Sequence, residues 1–503
     1  MKLGDMLRRN ARRHPNKVAL ICNGRKFTFA QLNARVNSIA KALLEIGLER
    51  GDRIAFVSES RFHFVEFFCT VAKSGMVLAP INPKSSSSEL VHLLNNTEAK
   101  LIVTEQEYES ALVPLLPSKQ PKLLIINSPQ GNYEDIISAH PSDEQEIDIR
   151  EDELLFLPCT GGTTGMPKQV MRTHGNLKAT MLNNLLAFNI TPQDICLLAT
   201  PPYWGTLIPW LIVSHFYMAS TAVISQSFDF ESVLESIEKE RVTDVLLQSS
   251  YVTALLEYPE LLKFNISSLR FIGLCGAPMS RERLKQAIRV FGNILVNLYA
   301  STELDLISFL PLDWDMVSGK EERRLSSCGT GGIPLAIEVK VVNEEGKDIV
   351  PGEVGEVIAK GDHLMKGYWK MPQATAEVIK NGYFFTGDLA TVDEEGYIYL
   401  MGRKKDVIAC GNNQVYCQEV EDVIYAHPSV KEVAVIGVLS KALEQEQEVK
   451  AVVVLKKGAV ATEGEIIDLC SKGLPSYAVP TTVEFATKLP RNPAGKIVKS
   501  LLQ

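Results

Sequence analysis

The run Cys159-Thr160-Gly161-Gly162-Thr163-Thr164-Gly165-Met166-Pro167-Lys168 sets glycines, hydroxyl side chains and a lysine between the apolar segments 154–158 and 170–171. Glycines allow a tight bend whose amide N–H groups all face one anion, and threonine hydroxyls add further donors. The chemistry such a loop can do is to hold phosphate. Gly165 is followed by Met-Pro-Lys rather than Gly-Lys-Ser/Thr, so this is not the ordinary nucleoside-triphosphatase loop. A flexible polar linker is the alternative reading, and Lys168 beside strand-like sequence argues against it.

Other residues with chemical capacity are isolated in the sequence. Glu303 ends Tyr299-Ala300-Ser301-Thr302-Glu303, Asp388 follows Gly387, and Lys496 follows Pro493-Ala494-Gly495. Taken singly they read as a helix N-terminal acid, a turn aspartate and a tail lysine. The nine cysteines are odd in number and scattered, without Cys-x-x-Cys, and the eight histidines form no His-Glu-x-x-His. No cysteine–histidine metal cluster is expected, and reduced thiols in the cytoplasm fit best.

A chain of 503 residues is too long for one core and predicts two or more domains. With 46% hydrophobic and 22% charged residues it has the composition of a soluble globular protein. The net charge of -8 argues against a nucleic-acid partner. Residues 1–13 carry four arginines and a lysine but no apolar stretch of signal length. No transmembrane segment is expected, since the most apolar stretch, 207–223, is broken by His215 and reads as core or pocket lining.

The elements that must position these residues alternate. Thr28-Phe29-Ala30-Gln31 is a capping-box start, with Leu32, Val36, Ile39, Ala40 and Leu43 at helical spacing. Strands are predicted at 54–57, 77–81, 100–104 and 123–126, with a helix at 64–71. After the loop come a helix over 230–239 and strands over 242–247 and 269–274. This alternation indicates parallel sheets covered by helices on both faces. From Gly355 short β-rich pieces with turns at Asn381-Gly382 and Glu395-Gly396 suggest a small barrel. Residues 418–425, 430–437, 449–455 and 464–469 read as helix, strand, strand and helix of a compact α+β unit. The fold class is therefore α/β: a large N-terminal domain, 1–402, of two sheet–helix subdomains plus a small β-barrel, then a small mobile α+β domain, 403–503.

In this order the chain resembles the adenylate-forming superfamily: acyl-CoA synthetases, carrier-protein-loading adenylation domains and beetle luciferases. The resemblance rests on seven blocks in family order. They are Thr160–Lys168; Gly276-Ala277-Pro278; Tyr299–Glu303; Gly367-Tyr368-Trp369; Tyr383–Asp388; Gly402-Arg403-Lys404-Lys405-Asp406; and Pro490–Lys496. It implies an ATP-dependent acid:CoA ligase. A carboxylate attacks the α-phosphate of ATP, giving acyl-adenylate and pyrophosphate; a thiol then displaces AMP. ATP, Mg2+ and coenzyme A are the implied cofactor and co-substrates, with the phosphopantetheine arm of a carrier protein as the alternative acceptor. A monomer or homodimer is expected.

By resemblance, Thr160, Gly161, Gly162, Thr163, Thr164, Gly165 and Lys168 hold the β- and γ-phosphates. Gly276, Ala277 and Pro278 line one adenine face and Tyr299 the other. Asp388 and Arg403 meet the ribose. Glu303 is the magnesium-associated glutamate and Thr302 a phosphate contact. Lys496 bridges the attacking carboxylate and the α-phosphate, where a fixed cation stabilises the transition state more than the ground state. Lys405 is the hinge between half-reactions, and Gly411 and Asn412 border the CoA channel. His174 is assigned hydrogen bonding at a helix start. Trp204, Ala300 and Ser301 line the acyl pocket. Ala300 stands for the usual glycine and Trp204 for a usual histidine, and both add bulk. Gln169 and Asn412 replace further glycines, and Cys417 a common proline. No arginine or lysine occurs between Thr200 and Glu238, so an uncharged acid of small to medium size is expected.

Overall fold

The computed structural model describes all residues except 1, 118–120, 129–132, 161–165, 206, 226, 277, 332–335, 412, 440–446, 492–495 and 503. Thr28 caps the helix Phe29–Glu45: its side chain accepts from Gln31 N–H, and the Gln31 side chain accepts from Thr28 N–H in return. Leu32, Val36, Ile39, Ala40 and Leu43 are all buried, as their spacing requires. Arg53–Val57 and Val77–Ile81 are covered on both faces, which fits parallel strands.

Among the described residues seven strands form one sheet, in the order Gly367–Tyr368, Val170–Thr173, Leu154–Phe156, Val77–Ile81, Arg53–Val57, Leu101–Thr104, Lys122–Ile125. A second sheet of eight runs Asp305–Pro311, Leu295–Ser301, Phe271–Cys275, Asp244–Gln248, Ile195–Leu198, Thr221–Ile224, Val18–Cys22, Arg25–Thr28. The two share one core. Phe64, Phe67 and Phe68 of the helix Arg61–Ser74 belong to the same cluster as Phe56 and Leu78 of one sheet and Leu20 and Leu198 of the other. Each fully buried phenylalanine contributes about 1.5–3 kcal/mol.

The third sheet joins Glu338–Val342, Gly355–Lys360, Tyr383–Val392, Ile379–Lys380 and Ile398–Arg403, all antiparallel. It curls into a half-barrel and begins with Glu338, earlier than Gly355, because Glu338–Val342 pairs along the whole of Gly355–Lys360. The predicted strand at 242–247 is also displaced. It runs Asp244–Gln248, because Thr243 precedes it with its hydroxyl bonded to the backbone of Ile195.

Beyond the turn Lys404–Asp406 a separate core forms. The helices Cys417–Tyr425 and Glu463–Gly473 cover the sheet Val430–Leu439, Gln447–Leu455, Thr482–Phe485. The fold is therefore α/β, with a large N-terminal part and a small α+β C-terminal part. The stretch 207–223 divides into the helix Leu207–Tyr217 and the strand Thr221–Ile224, with His215 buried in the last turn of the helix. Among the described residues no helix is long and apolar enough to cross a membrane.

Candidate active site

The phosphate-type loop leaves and re-enters the first sheet. Leu154–Phe156 leads to it and Val170–Thr173 leads away. Its base is pinned: Thr160 N–H donates to the Lys168 carbonyl at 2.9 Å, and Lys168 N–H to the Thr160 hydroxyl at 3.3 Å. Gly161, Gly162, Thr163, Thr164 and Gly165 lie outside the described residues. The Lys168 ammonium sits 4.8 Å from the ring centroid of Tyr368. The phenol of Tyr368 donates to Glu303 Oε1 at 2.8 Å. Three of the seven sequence blocks thus converge on one spot. Burial, reinforced by Glu303, pushes the Tyr368 phenol well above its usual range, so it stays a donor at neutral pH.

Thr302 and Glu303 lie in the tight turn between Leu295–Ser301 and Asp305–Pro311, where Leu304 N–H donates to the Ser301 hydroxyl. A group that sequence reasoning missed holds this turn from below. Arg172 is fully buried; it donates to the Thr302 carbonyl at 3.0 Å and pairs with Asp305, which also accepts from the Thr180 hydroxyl. Asp305 takes a left-handed backbone, φ +59°, an uncommon state that aspartate tolerates better than most residues. A lone arginine after Val170-Met171 gives no sign in the sequence of a partner 133 residues away.

On the adjoining edge of the second sheet, Gly276 follows Phe271–Cys275 with φ +95°, where any side chain would be strained. Gly276 and Pro278 are exposed at this open end, and Ala277 lies outside the described residues. Tyr299, on the neighbouring strand Leu295–Ser301, is nearly buried. Its ring packs within the barrel cluster, and its hydroxyl donates to Asp388 Oδ2 at 2.7 Å. Burial and then Asp388 raise its phenol pKa well above the ordinary value.

Asp388 Oδ1 takes Arg403 Nη1 at 2.9 Å, so Tyr299, Asp388 and Arg403 form one chain. Gly387, φ +71°, has Arg403 Nη2 3.6 Å from where a Cβ would stand, so a side chain here would be strained beside the guanidinium. Glu356, which no sequence signal marked, takes Gly387 N–H at 3.1 Å and Lys404 Nζ at 3.2 Å.

Lys496 is exposed and lies within electrostatic reach of Cys275. Burial pushes the Cys275 thiol up to about 12, and the Lys496 ammonium opposes this. Cys275 is the last residue of Phe271–Cys275 and immediately precedes Gly276. The described residues on either side of Lys496 are held: Arg491 bridges Ile497 and pairs with Glu432 at 3.1 Å, and Lys499 pairs with half-buried Glu421 at 2.7 Å. Residues 492–495 lie outside the described residues. Lys405, in the turn Lys404–Asp406, has its pKa lowered by burial. Gly411, φ +60°, follows Ile408–Cys410 in a tight hairpin, and Asn412 lies outside the described residues. The Cys417 thiol, raised to about 11 by burial, donates to the Asp406 carbonyl at 3.1 Å and has no nucleophilic character.

Trp204 packs edge-on against Phe228, ring centroids 5.3 Å apart. Next to it, Gly205 faces Thr302, whose hydroxyl would lie 3.5 Å from an added Cβ. Trp204, Ser301 and the exposed Ala300 thus border the same turn as Glu303. His174 stands at a helix start as expected, its backbone N–H donating to the Glu153 carbonyl at 3.0 Å, but its ring takes no part in the capping. Thr173 and Asn176 form the capping box of His174–Phe188, and among the described residues both ring nitrogens of His174 are buried without partners. Burial lowers its pKa to about 4.

The described residues suit both groups. The carboxylate of Glu303 and the neighbouring Thr302 hydroxyl are an oxygen set for a hard divalent ion, and the side-chain-free backbone at Gly276 and the Asp388–Arg403 pair suit a nucleoside. Residues 7–369 match the model of the AMP-binding enzyme family, and residues 419–496 that of the AMP-binding enzyme C-terminal domain.

The chain belongs to the AMP-binding enzyme family.

Feruloyl-CoA synthase of an Amycolatopsis species is 31% identical to it over 99% of this chain and 97% of that protein. ATP-bound MatB from Rhodopseudomonas palustris superposes with a TM-score of 0.89 at 28% identity, covering 100% of this chain and 98% of MatB. MenE, the O-succinylbenzoate coenzyme A synthetase of Bacillus subtilis, solved with ATP and magnesium ion, superposes at 0.85 and 27% identity, over 99% and 98% of the two chains. This AMP-binding enzyme is an acyl-CoA synthetase, an ATP-dependent acid:CoA ligase that uses ATP and Mg2+ with coenzyme A as co-substrate.

Proposed function

We propose that this synthetase activates an uncharged carboxylic acid of small to medium size, with Lys496 serving the adenylation step and coenzyme A as the acceptor. The observation that carries the reading is that Lys496 of the C-terminal part lies within electrostatic reach of buried Cys275, the residue before Gly276, while Tyr299, Asp388 and Arg403 form one hydrogen-bonded chain. The acid is already ionised at neutral pH, so no general base is needed. Both reactants of the first step are anions, and the barrier is partly their repulsion. Lys168 would lower it from the phosphate side and Lys496 from the carboxylate side, while Thr302 and Glu303 would hold the metal–phosphate end. The metal, when bound, supplies charge neutralisation on the phosphates. Asp388 and Arg403 would orient the ribose, and Gly276 would let the base approach the backbone.

The small domain from Arg403 onward would turn about Lys405 between half-reactions and bring Gly411 and Asn412 toward the pantetheine. Trp204 and Ala300 would limit acid size, and the absence of lysine and arginine between Thr200 and Glu238 disfavours a second carboxylate.

The test is a panel of acids, from short aliphatic through aryl to long-chain and dicarboxylic, offered with ATP and either coenzyme A or a phosphopantetheinylated carrier protein. Thioester formation with coenzyme A on uncharged acids of up to medium length is expected. Turnover only with the carrier protein, or only on dicarboxylic or long-chain acids, would overturn the corresponding part of the reading.

A further inference from the structure

Tyr368 stands where the two charged ends of the site meet, and no role was assigned to it by sequence. It is 5% exposed, and its strand Gly367–Tyr368 pairs with Met171 and Val170, just beyond Lys168. The segment grips Glu303 twice: Met365 N–H donates to the Glu303 carbonyl at 2.8 Å, and the Tyr368 phenol to the Glu303 carboxylate at 2.8 Å. The opposite charge uses the same side chain, the Lys168 ammonium lying 4.8 Å from its ring centroid.

The neighbours of Tyr368 fix it in place. Its backbone N–H donates to the Thr375 hydroxyl at 2.9 Å, Trp369 N–H to the Gln169 carbonyl at 2.8 Å, and the Trp369 indole to the Asn96 carbonyl at 2.9 Å.

A lysine and a glutamate serving one phosphate–metal group face a common difficulty. Left alone, opposite charges pair with each other, and that pair must break before either meets its ligand. A phenol solves this with two weaker contacts. Its ring face attracts a cation and its hydroxyl orients a carboxylate oxygen.

We propose that Tyr368 is a positioning residue that holds Lys168 and Glu303 as separate, pre-oriented charges for a magnesium–polyphosphate group. The role rests on the reading of the site given under Proposed function.

The test uses the full-length enzyme and calorimetric binding of α,β-methylene-ATP with Mg2+, compared with binding of AMP, which lacks the β- and γ-phosphates. Tyr368→Phe keeps the buried ring and the cation contact but removes the bond to Glu303. It should weaken binding of the magnesium nucleotide about tenfold and leave AMP binding unchanged. Tyr368→Leu also removes the ring face and should weaken it by about a further threefold. Unchanged binding of the magnesium nucleotide by Tyr368→Phe would overturn the proposal. So would an equal loss for AMP, which would mark general damage instead of positioning. A wild type that binds AMP but no magnesium nucleotide would overturn the site reading, and this role with it.

Discussion

Arg403 and Asp388 are direct partners across one antiparallel hairpin, and the guanidinium of the first donates to the carboxylate of the second at 2.9 Å. Arg403 is the last residue of the half-barrel before the turn Lys404–Asp406, so this ion pair stands at the junction with the C-terminal part. Asp388→Asn keeps the Tyr299 contact but gives up the charge. It is expected to raise KM for ATP about tenfold with KM for the acid unchanged. Steady-state kinetics in each substrate checks this, and equal effects on both would contradict it.

The buried pair Arg172–Asp305 gives a prediction about stability. Removing one partner leaves an uncompensated buried charge, which costs about 3–5 kcal/mol. Arg172→Met should therefore lower the denaturation midpoint strongly. Adding Asp305→Asn, which removes the stranded charge and suits the left-handed backbone, should recover part of the loss. Chemical denaturation of both variants measures this, and a double variant no better than the single would contradict it.

This pair also shows where the sequence stops being legible. The capping box at Thr28 and Gln31 and the apolar spacing of the next helix were readable because they are local. So was the strand–helix alternation, whose period survives in any window. The site blocks were readable as blocks. What they touch was not: Tyr368 and Glu303 lie 65 residues apart, and Arg172 and Asp305 lie 133 apart.

Gln169 is a second case. In the sequence it stands out only as a replacement for a glycine. In the structure its buried amide donates to the Thr97 hydroxyl at 2.7 Å and accepts from Asn96 at 2.9 Å, clamping the base of the loop to the end of the helix Ser87–Thr97.

His174 sets a pH dependence. Its folded pKa of about 4 lies below its ordinary 6.5, so the unfolded chain binds the proton more readily. The stability it contributes is present above pH 6.5 and is lost as pH falls toward 4. The difference in melting temperature between wild type and His174→Leu should therefore shift against the wild type as pH is lowered through this window. A difference that stays constant from pH 7 to pH 4 would contradict the assignment.

For the acyl pocket, Ala300→Gly with Trp204→Ala should extend the accepted acid by one or more methylenes. Each newly buried CH2 contributes about 0.8 kcal/mol, so KM should fall about fourfold per methylene where it reports binding. Chain-length profiles of wild type and double variant check this. A wild type that already prefers palmitate-length acids over hexanoate or benzoate would contradict it.

Under the proposed function Lys496 would act on the carboxylate and the α-phosphate. Lys496→Ala should leave the fold intact and lower acid-dependent pyrophosphate exchange about a hundredfold, since one oriented charge at a transition state is worth about 3 kcal/mol. The decisive measurement gives the same variant synthetic acyl-adenylate and coenzyme A. Thioester formation much less impaired than pyrophosphate exchange is the predicted result, and an equal loss in both half-reactions would contradict the account.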